Sequence, residues 1–256
     1  MSGIGTGYDL SSTTYSPDGK IFQTEYAQKA VDNSGTVLGL RCKDGVVLAC
    51  EKLVLSKLLV EGSNRRVHNI DRHVGVAAAG LAPDGRMVAN RACEEAASYK
   101  RVYGEPISGH VLAERIGSYV HMFNLYWSLR PYGATMLMAV YDKNGPALYG
   151  IDPSGSSLRY YGTAVGKARQ AAKNEIEKLK LSEMSAREAV MEAVRILHKV
   201  HDEDGKKFEL EVSWICDESG KEHRRVPAEL LDEAERRAKA AMEESDMWVV
   251  AGRGGS

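Results

Sequence analysis

The chain has 256 residues and a formal net charge of -1, with 27% of residues charged. Such a balance gives no electrostatic pull toward nucleic acid. At 43% hydrophobic the composition is ordinary for a soluble globular protein and allows one large domain or two small ones. No apolar run approaches the ~20 residues of a membrane span. The N-terminus lacks the basic and apolar regions of a signal peptide, and no Asn-x-Ser/Thr acceptor occurs. An intracellular protein with no membrane partner is expected. Cys42, Cys50, Cys93 and Cys216 form no Cys-x-x-Cys pair. They read as buried or half-buried thiols in a reducing compartment rather than zinc ligands or disulfides.

Residues 1–17 are rich in Gly, Ser and Thr and hold little apolar area, so a mobile tail is expected. Ser16-Pro17-Asp18-Gly19 leads into a short helix whose apolar face is Ile21, Phe22, Ala27, Ala30 and Val31. From Ser34 to Lys52 the pattern is a β-hairpin turning at Lys43-Asp44-Gly45. Thr36, Leu38, Leu40 and Cys42 alternate with their neighbours, and Val46 to Ala49 is apolar throughout. His73 to Ala79 is a further short strand. Helices are predicted from Pro83 to Tyr103, ending at Gly104, and from Ser108 to Arg130, where Pro131 stops the second.

Strands return at 134–141, 147–151 and 157–164, separated by the turn segments Asp142-Lys143-Asn144-Gly145 and Asp152-Pro153-Ser154-Gly155. Helices follow over 167–180 and 187–200. Ser185-Ala186-Arg187-Glu188 fits a capping box at the head of the second. A strand over 207–216, a charged helix over 227–244 and a frayed tail complete the chain. This order suits two packed sheets with helix pairs on their outer faces. The domain reading is an N-terminal tail over 1–17, one domain over 18–244 and a flexible C-terminal tail over 245–256.

Several patterns invite chemical readings that the residues do not sustain. Gly162 to Ala168 has the look of a phosphate loop, but its spacing is one residue short and Ala168 stands where a Mg²⁺-binding hydroxyl is required. His198 and His201 lie three apart on a helix beside Asp202 and Glu203, with no third His or Cys close in sequence; a helix-end surface is the better reading than a metal site. Tyr119, Phe123, Tyr126 and Trp127 recur at helical spacing and read as core rather than a binding platform. No Ser-His-Asp grouping is discernible. Neither a cofactor nor a metal is expected.

Tyr8-Asp9, Tyr15 to Lys20, Gln23 and Glu25-Tyr26-Ala27, in that order, resemble the N-terminal signature of proteasome alpha-type subunits. The likeness continues through Arg130-Pro131-Tyr132-Gly133, Asp152-Pro153-Ser154-Gly155 and Gly166-Lys167-Ala168. Among the alpha types it is greatest to type three, the seventh ring position, on Ile4 to Leu10, Glu51 to Lys57 and Phe208 to Glu211. The resemblance implies an α+β fold: the four-layer αββα sandwich of N-terminal nucleophile hydrolases, with an extra N-terminal helix.

Catalytic relatives begin their mature chain with a threonine at the head of the hairpin, whose hydroxyl attacks while its amine acts as base. Gly35 stands at that position in mid-chain, and Arg66 sits where those relatives keep a lysine. The resemblance therefore implies a noncatalytic, structural subunit of the 20S proteasome core. Its partners would be other alpha subunits in a hetero-heptameric ring, beta subunits and regulatory particles, in the cytoplasm and nucleus. The rival reading is a self-processing hydrolase that cuts at Gly35-Thr36 and uses Thr36 as its nucleophile. By resemblance the gate residues are Tyr8, Asp9, Pro17 and Tyr26. The activator-docking pocket falls at Arg66, Gly80 and Leu81. Two departures stand out: Leu10 follows Tyr-Asp where many alpha subunits have Arg, and Arg66 replaces a lysine whose site a planar guanidinium does not fit unchanged. Ser245, set among Glu243, Glu244 and Asp246, is a candidate for phosphorylation.

Overall fold

The alternation in the first hairpin positions everything that follows. The structure, a computed structural model, describes residues 7–54, 56–60, 62–201 and 207–253, those from 243 onward as backbone only. Ile4, Gly5, Thr6, Leu55, Asp202, Glu203, residues 254–256 and the side chains of Glu243, Glu244, Ser245 and Asp246 lie outside the described residues.

Helix α1 (Phe22–Asp32) precedes strands β1 (Val37–Arg41) and β2 (Gly45–Leu53). In β2, Val46, Leu48 and Cys50 face one side and Val47 and Ala49 the other, and all five are fully buried. Strands covered on both faces read as continuous apolar runs. Next come β3 (Val67–Asp71), β4 (Val74–Gly80), α2 (Ala82–Tyr103) and α3 (Gly109–Met122). Then follow β5 (Ala134–Asp142), β6 (Gly145–Ile151), β7 (Ser157–Tyr160), β8 (Gly162–Val165), α4 (Arg169–Ile176) and α5 (Ala186–Val200). The chain closes with β9 (Phe208–Cys216), β10 (Arg224–Arg225) and α6 (Ala228–Arg253).

Two antiparallel five-stranded sheets result, ordered β10-β9-β2-β1-β8 and β3-β4-β5-β6-β7. Val46, Leu48 and Cys50 meet Ala77, Ala79, Leu137 and Leu148 between them. The outer face of the first sheet is covered by α4, α5 and α6, and that of the second by α2 and α3. Each fully buried Leu or Val contributes roughly 1.5–3 kcal/mol to this packing. Helix α1 touches β4 and β5 and sends Val31 into the layer between the sheets. This is the expected α+β four-layer αββα sandwich with an extra N-terminal helix.

The capping box is present: Glu188 N–H donates to Ser185 Oγ at 3.3 Å and Ser185 N–H to Glu188 Oε2 at 2.7 Å. Helix α2 ends at Gly104, whose φ of 73 supplies the left-handed turn. The cysteines are free, with Cys42, Cys50 and Cys216 buried and Cys93 half-buried. Cys42 and Cys50 belong to different core layers. Burial pushes the Cys42 thiol up to about 12.

Several expectations need correction. Strand β3 went unread because Val-His-Asn-Ile-Asp is a polar edge strand with only Ile70 buried. The short β10 was missed for a similar reason, being two exposed arginines. The second long helix ends at Met122 instead of Arg130. After it the backbone tightens into i→i−3 bonds, as in Phe123 N–H to Val120 O and Asn124 N–H to His121 O. Asn124, 4% exposed, fixes this bend by donating to Pro153 O at 2.9 Å and accepting from Thr24 Oγ1 at 3.1 Å. The aromatic stripe accordingly splits. Tyr119 and Phe123 pack with Tyr132, while Tyr126 and Trp127 are exposed. The expected strand over 157–164 is two strands in different sheets, β7 and β8, joined at the exposed Tyr161. Finally, the helix expected over 167–180 is regular only to Ile176, and the last helix runs beyond Glu244 to Arg253.

Candidate functional site

Three places carry the chemistry raised by the sequence. The first is the head of β1. Lys167 N–H donates to Ser34 O at 2.9 Å, and Thr36 N–H donates to Glu51 Oε2 at 3.0 Å. Thr36 is 1% exposed, and its Oγ1 accepts from Ala168 N–H at 3.3 Å. Gly35 lies flush against the neighbouring strand, so that a Cβ there would stand 2.3 Å from Glu51 O. Gly166, with a φ of +99, closes the other side over Gly35 O. A cleft of about 590 Å³ opens at this point, with Ser34, Gly35 and Thr36 in its wall. It is lined by Glu51, Glu175, Lys199 and His201 among others, and Arg66 is not one of them. Glu51 is 7% exposed and pairs with His201 Nδ1. Contacts with Lys178, Lys199 and Arg195 outweigh the effect of burial and hold the Glu175 carboxyl down to about 2. The paired carboxylates here are thus committed to amide, imidazole and ammonium partners. Sequence reasoning missed the Glu51–His201 pair, whose members are 150 positions apart.

His198 turns its ring onto Phe208, centroids 4.9 Å apart, and burial holds its imidazole below the ordinary value. No group of three His, Cys, Asp or Glu side chains suited to a metal occurs among the described residues.

The second place is the N-terminal segment against α1. Tyr26 projects from the second turn of α1 and donates from Oη to Asp9 Oδ2 at 3.2 Å. Partial desolvation and the Asp9 carboxylate both push its phenol up. Gln23 Nε2 donates to Asp9 O, so one turn of α1 holds both the backbone and the side chain of Asp9. Ser12, 2% exposed, donates to Tyr126 O at 3.3 Å. Pro17 occupies an exposed turn closed by Gly19 N–H to Ser16 O at 2.9 Å, and Gly19 takes a φ of +75. Asp9 and Tyr26 are therefore brought together. Tyr8 and Pro17 are exposed and make no hydrogen bond or ring contact with either among the described residues.

The third place is the end of β4. Arg66 Nη1 donates to Gly80 O at 2.6 Å, and Arg66 N–H donates to Glu211 Oε2 at 2.8 Å. Burial pulls the guanidinium below its ordinary value, against the pull of Cys50 and Glu211. Gly80 has a φ of +114, and a Cβ there would stand 2.1 Å from Gly133 O. Leu81, nearly half exposed, donates from its amide to the same Gly133 O at 2.8 Å. Arg66, Gly80 and Leu81 thus lie together at the end of β4.

That group has neighbours the sequence did not reveal. Lys52, 6% exposed, lies 3.2 Å from Glu209 and 3.9 Å from Glu211. Asp84, in the first turn of α2, takes both Nη atoms of Arg130 at 2.6 and 2.8 Å and the Gly133 amide at 2.9 Å. Burial alone would raise the Asp84 carboxyl, but these contacts prevail and lower it. Arg130 to Gly133 was legible as a motif, but its role as a latch on α2 depends on a contact 46 positions away.

Comparison with known families agrees with this architecture. The family described as "Proteasome subunit" matches residues 31–215, and the N-terminal signature of the A class of proteasome subunits matches residues 8–30. The proteasome alpha type-3 subunit of Oryza sativa subsp. japonica is 61% identical over 247 residues, covering 96% of this chain and 99% of that protein. The protein of the same name from Spinacia oleracea is 59% identical with the same coverage. A probable proteasome alpha type-7 subunit of Schizosaccharomyces pombe is 49% identical over 250 residues, covering 96% of this chain and 98% of that one. Two matched signatures that together span most of the chain, over a fold of two five-stranded sheets between helix layers, place it: the chain belongs to the proteasome subunit family and is of the alpha type.

Proposed function

We propose that this chain is a noncatalytic member of the outer ring of the 20S core, that its N-terminal segment helps gate the axial pore, and that the group at Arg66 helps dock regulatory particles. Its partners on this reading are other alpha subunits in a hetero-heptameric ring, beta subunits that carry hydrolysis, and regulatory particles. It acts in the cytoplasm and nucleus, on unfolded polypeptides that pass by without being cut.

The observation that supports the noncatalytic reading is the head of β1, which borders the cleft without a free amine or an unengaged hydroxyl. A threonine nucleophile of this class needs a free amine and an accessible hydroxyl. Gly35 has no hydroxyl, the backbone continues through Ser34, and the Thr36 hydroxyl is buried and already accepts a hydrogen bond. Cleavage at Gly35-Thr36 would have to extract a peptide packed against Glu51 and Gly166. Gating draws on the Asp9–Tyr26 contact, which ties the segment leading to Tyr8 to α1. Docking draws on the Arg66 guanidinium held at Gly80 O beside the exposed Leu81.

The test is hydrolysis of fluorogenic peptides by the purified chain and by its Thr36→Ala variant. No hydrolysis by either is expected. Activity in the parent that vanishes with Thr36 would establish the rival, self-processing hydrolase.

A further inference from the structure

Arg65 and Arg66 adjoin in sequence but serve different surroundings. Arg66 turns to Gly80 O. Arg65, exposed, lines a separate cleft of about 370 Å³ between the edge strands β3 and β10 and helix α2. His68 and Asn69 of β3, Asn90 of α2, Arg225 of β10 and the buried His223 line it as well, and no Asp or Glu does so among the described residues. In a chain of net charge -1, a cleft walled by two guanidiniums and no carboxylate is a local excess of cation.

One polar group of this cleft, Asn69, is fixed by the buried His223. His223 is 5% exposed; its Nε2 meets Ser213 Oγ at 2.9 Å and its Nδ1 meets Asn69 Oδ1 at 2.5 Å. Engaging Asn69 through its oxygen leaves the amide nitrogen, a pure donor, for the cleft. Opposing charge comes from Glu211 on the β9 side. Glu211 reaches Arg225 only at 3.5 Å while also receiving the Arg66 amide. At the other end, Asp71 and Glu94 act on Cys93. Burial is the first cause that lowers the His68 imidazole; Glu211 opposes it, and Arg86, Arg65 and Arg66 lower it further.

We propose that the cleft between β3, β10 and α2 is a binding site for a phosphate-class oxyanion, either free or carried on a phosphorylated side chain, held by Arg65 and Arg225 with Asn69 and His68. Paired planar guanidiniums suit the tetrahedral oxyanion because each can give two parallel N–H donors. The site is distinct from the group at Arg66, Gly80 and Leu81, which uses a different guanidinium.

Calorimetric titration of the full chain with inorganic phosphate, with a phosphoserine peptide and with its unphosphorylated form tests this, alongside NMR titration of His68. Binding of phosphate in both forms marks the free ion as a source; binding of the phosphopeptide alone marks a polypeptide source. Arg65→Ala and Arg225→Ala should each weaken binding about tenfold, with Arg225→Lys in between because it keeps the charge and loses the fork. Bound dianion should raise the His68 pKa by offsetting the surrounding guanidiniums. Circular dichroism establishes that each variant is folded. The proposal is overturned if neither phosphate form binds at millimolar concentration, if the unphosphorylated peptide binds equally, or if both arginine variants bind as the parent does.

Discussion

Two regions joined by helix α1 are built on opposite plans. At the head of β1, Gly35 and Thr36 are walled in by Glu51, Gly166 and Ala168, and the Thr36 amide and hydroxyl both have partners inside the protein. On the other side of α1, Tyr8, Leu10, Tyr15 and Tyr26 are all more than 40% exposed, yet the segment between them is tied down through the Asp9 carbonyl and the Ser12 and Ser16 hydroxyls. The head of β1 is packed against its neighbours and its polar groups are engaged. The place that faces outward is held in position without being covered. A surface with large aromatic area and fixed backbone is suited to contact with other chains.

The head of β1 should be most sensitive to a restored threonine side chain. Gly35→Thr should destabilise the fold by about 2–4 kcal/mol, because the new Cβ collides with a backbone carbonyl that cannot rotate aside. It should yield no peptidase activity. Denaturant unfolding of the variant beside the parent gives the first number, and a near-neutral result would mean that the head of β1 is looser than the packing implies.

A buried imidazole elsewhere in the fold carries a pH signature. Burial holds His223 down to about 4, against an ordinary value of 6.5. The folded state therefore keeps the ring neutral where the unfolded chain protonates it. Stability from this group is fully present above about 6.5 and is lost as pH falls from there to about 4. The loss amounts to about 3 kcal/mol on the linkage relation. Unfolding free energies measured across that window should show the decline, and His223→Leu should flatten it. An equal slope in both proteins would show that other groups govern acid sensitivity.

Asp84→Asn should cost about 2 kcal/mol, since it removes the charge from a carboxylate that holds Arg130 and the Gly133 amide. Arg130→Ala should cost less, because that side chain is largely exposed. Thermal melts of the two variants check the order.

The smallest stability change and the most telling functional one should come from Tyr26→Phe. Losing one exposed hydroxyl should leave the melting temperature close to that of the parent. Activator-stimulated peptide hydrolysis by assembled particles should nevertheless fall, because Asp9 loses its side-chain tether. Removing residues 2–12 should raise basal hydrolysis modestly. Unchanged rates in both particles would make this segment a passive member of the ring.

The layers of the fold were legible because their signals are local. Period-two alternation in β1, Gly104 after α2 and Ser185 with Glu188 each act within a few residues. What escaped was decided at long range. Helix α3 stops where Asn124 finds Pro153 and Thr24, not where Pro131 forbids continuation. The strand after Gly155 changes sheets at Tyr161, where Arg41 N–H donates to the Tyr161 carbonyl at 2.8 Å and the Arg41 guanidinium lies over its ring. In the sites, the grouping of Arg66 with Gly80 and of Asp9 with Tyr26 followed from family resemblance. The partners of Lys52, Glu211, Asp84 and His201 were not legible, because single charged residues in a sequence do not announce which distant group they meet.

Native mass spectrometry of endogenous material, with each component released and weighed, decides whether this chain is an uncut ring subunit. It should travel in a particle far larger than itself and be released with the segment before Thr36 still attached. A chain found mainly as a monomer, or one whose mature form begins at Thr36, would overturn that reading.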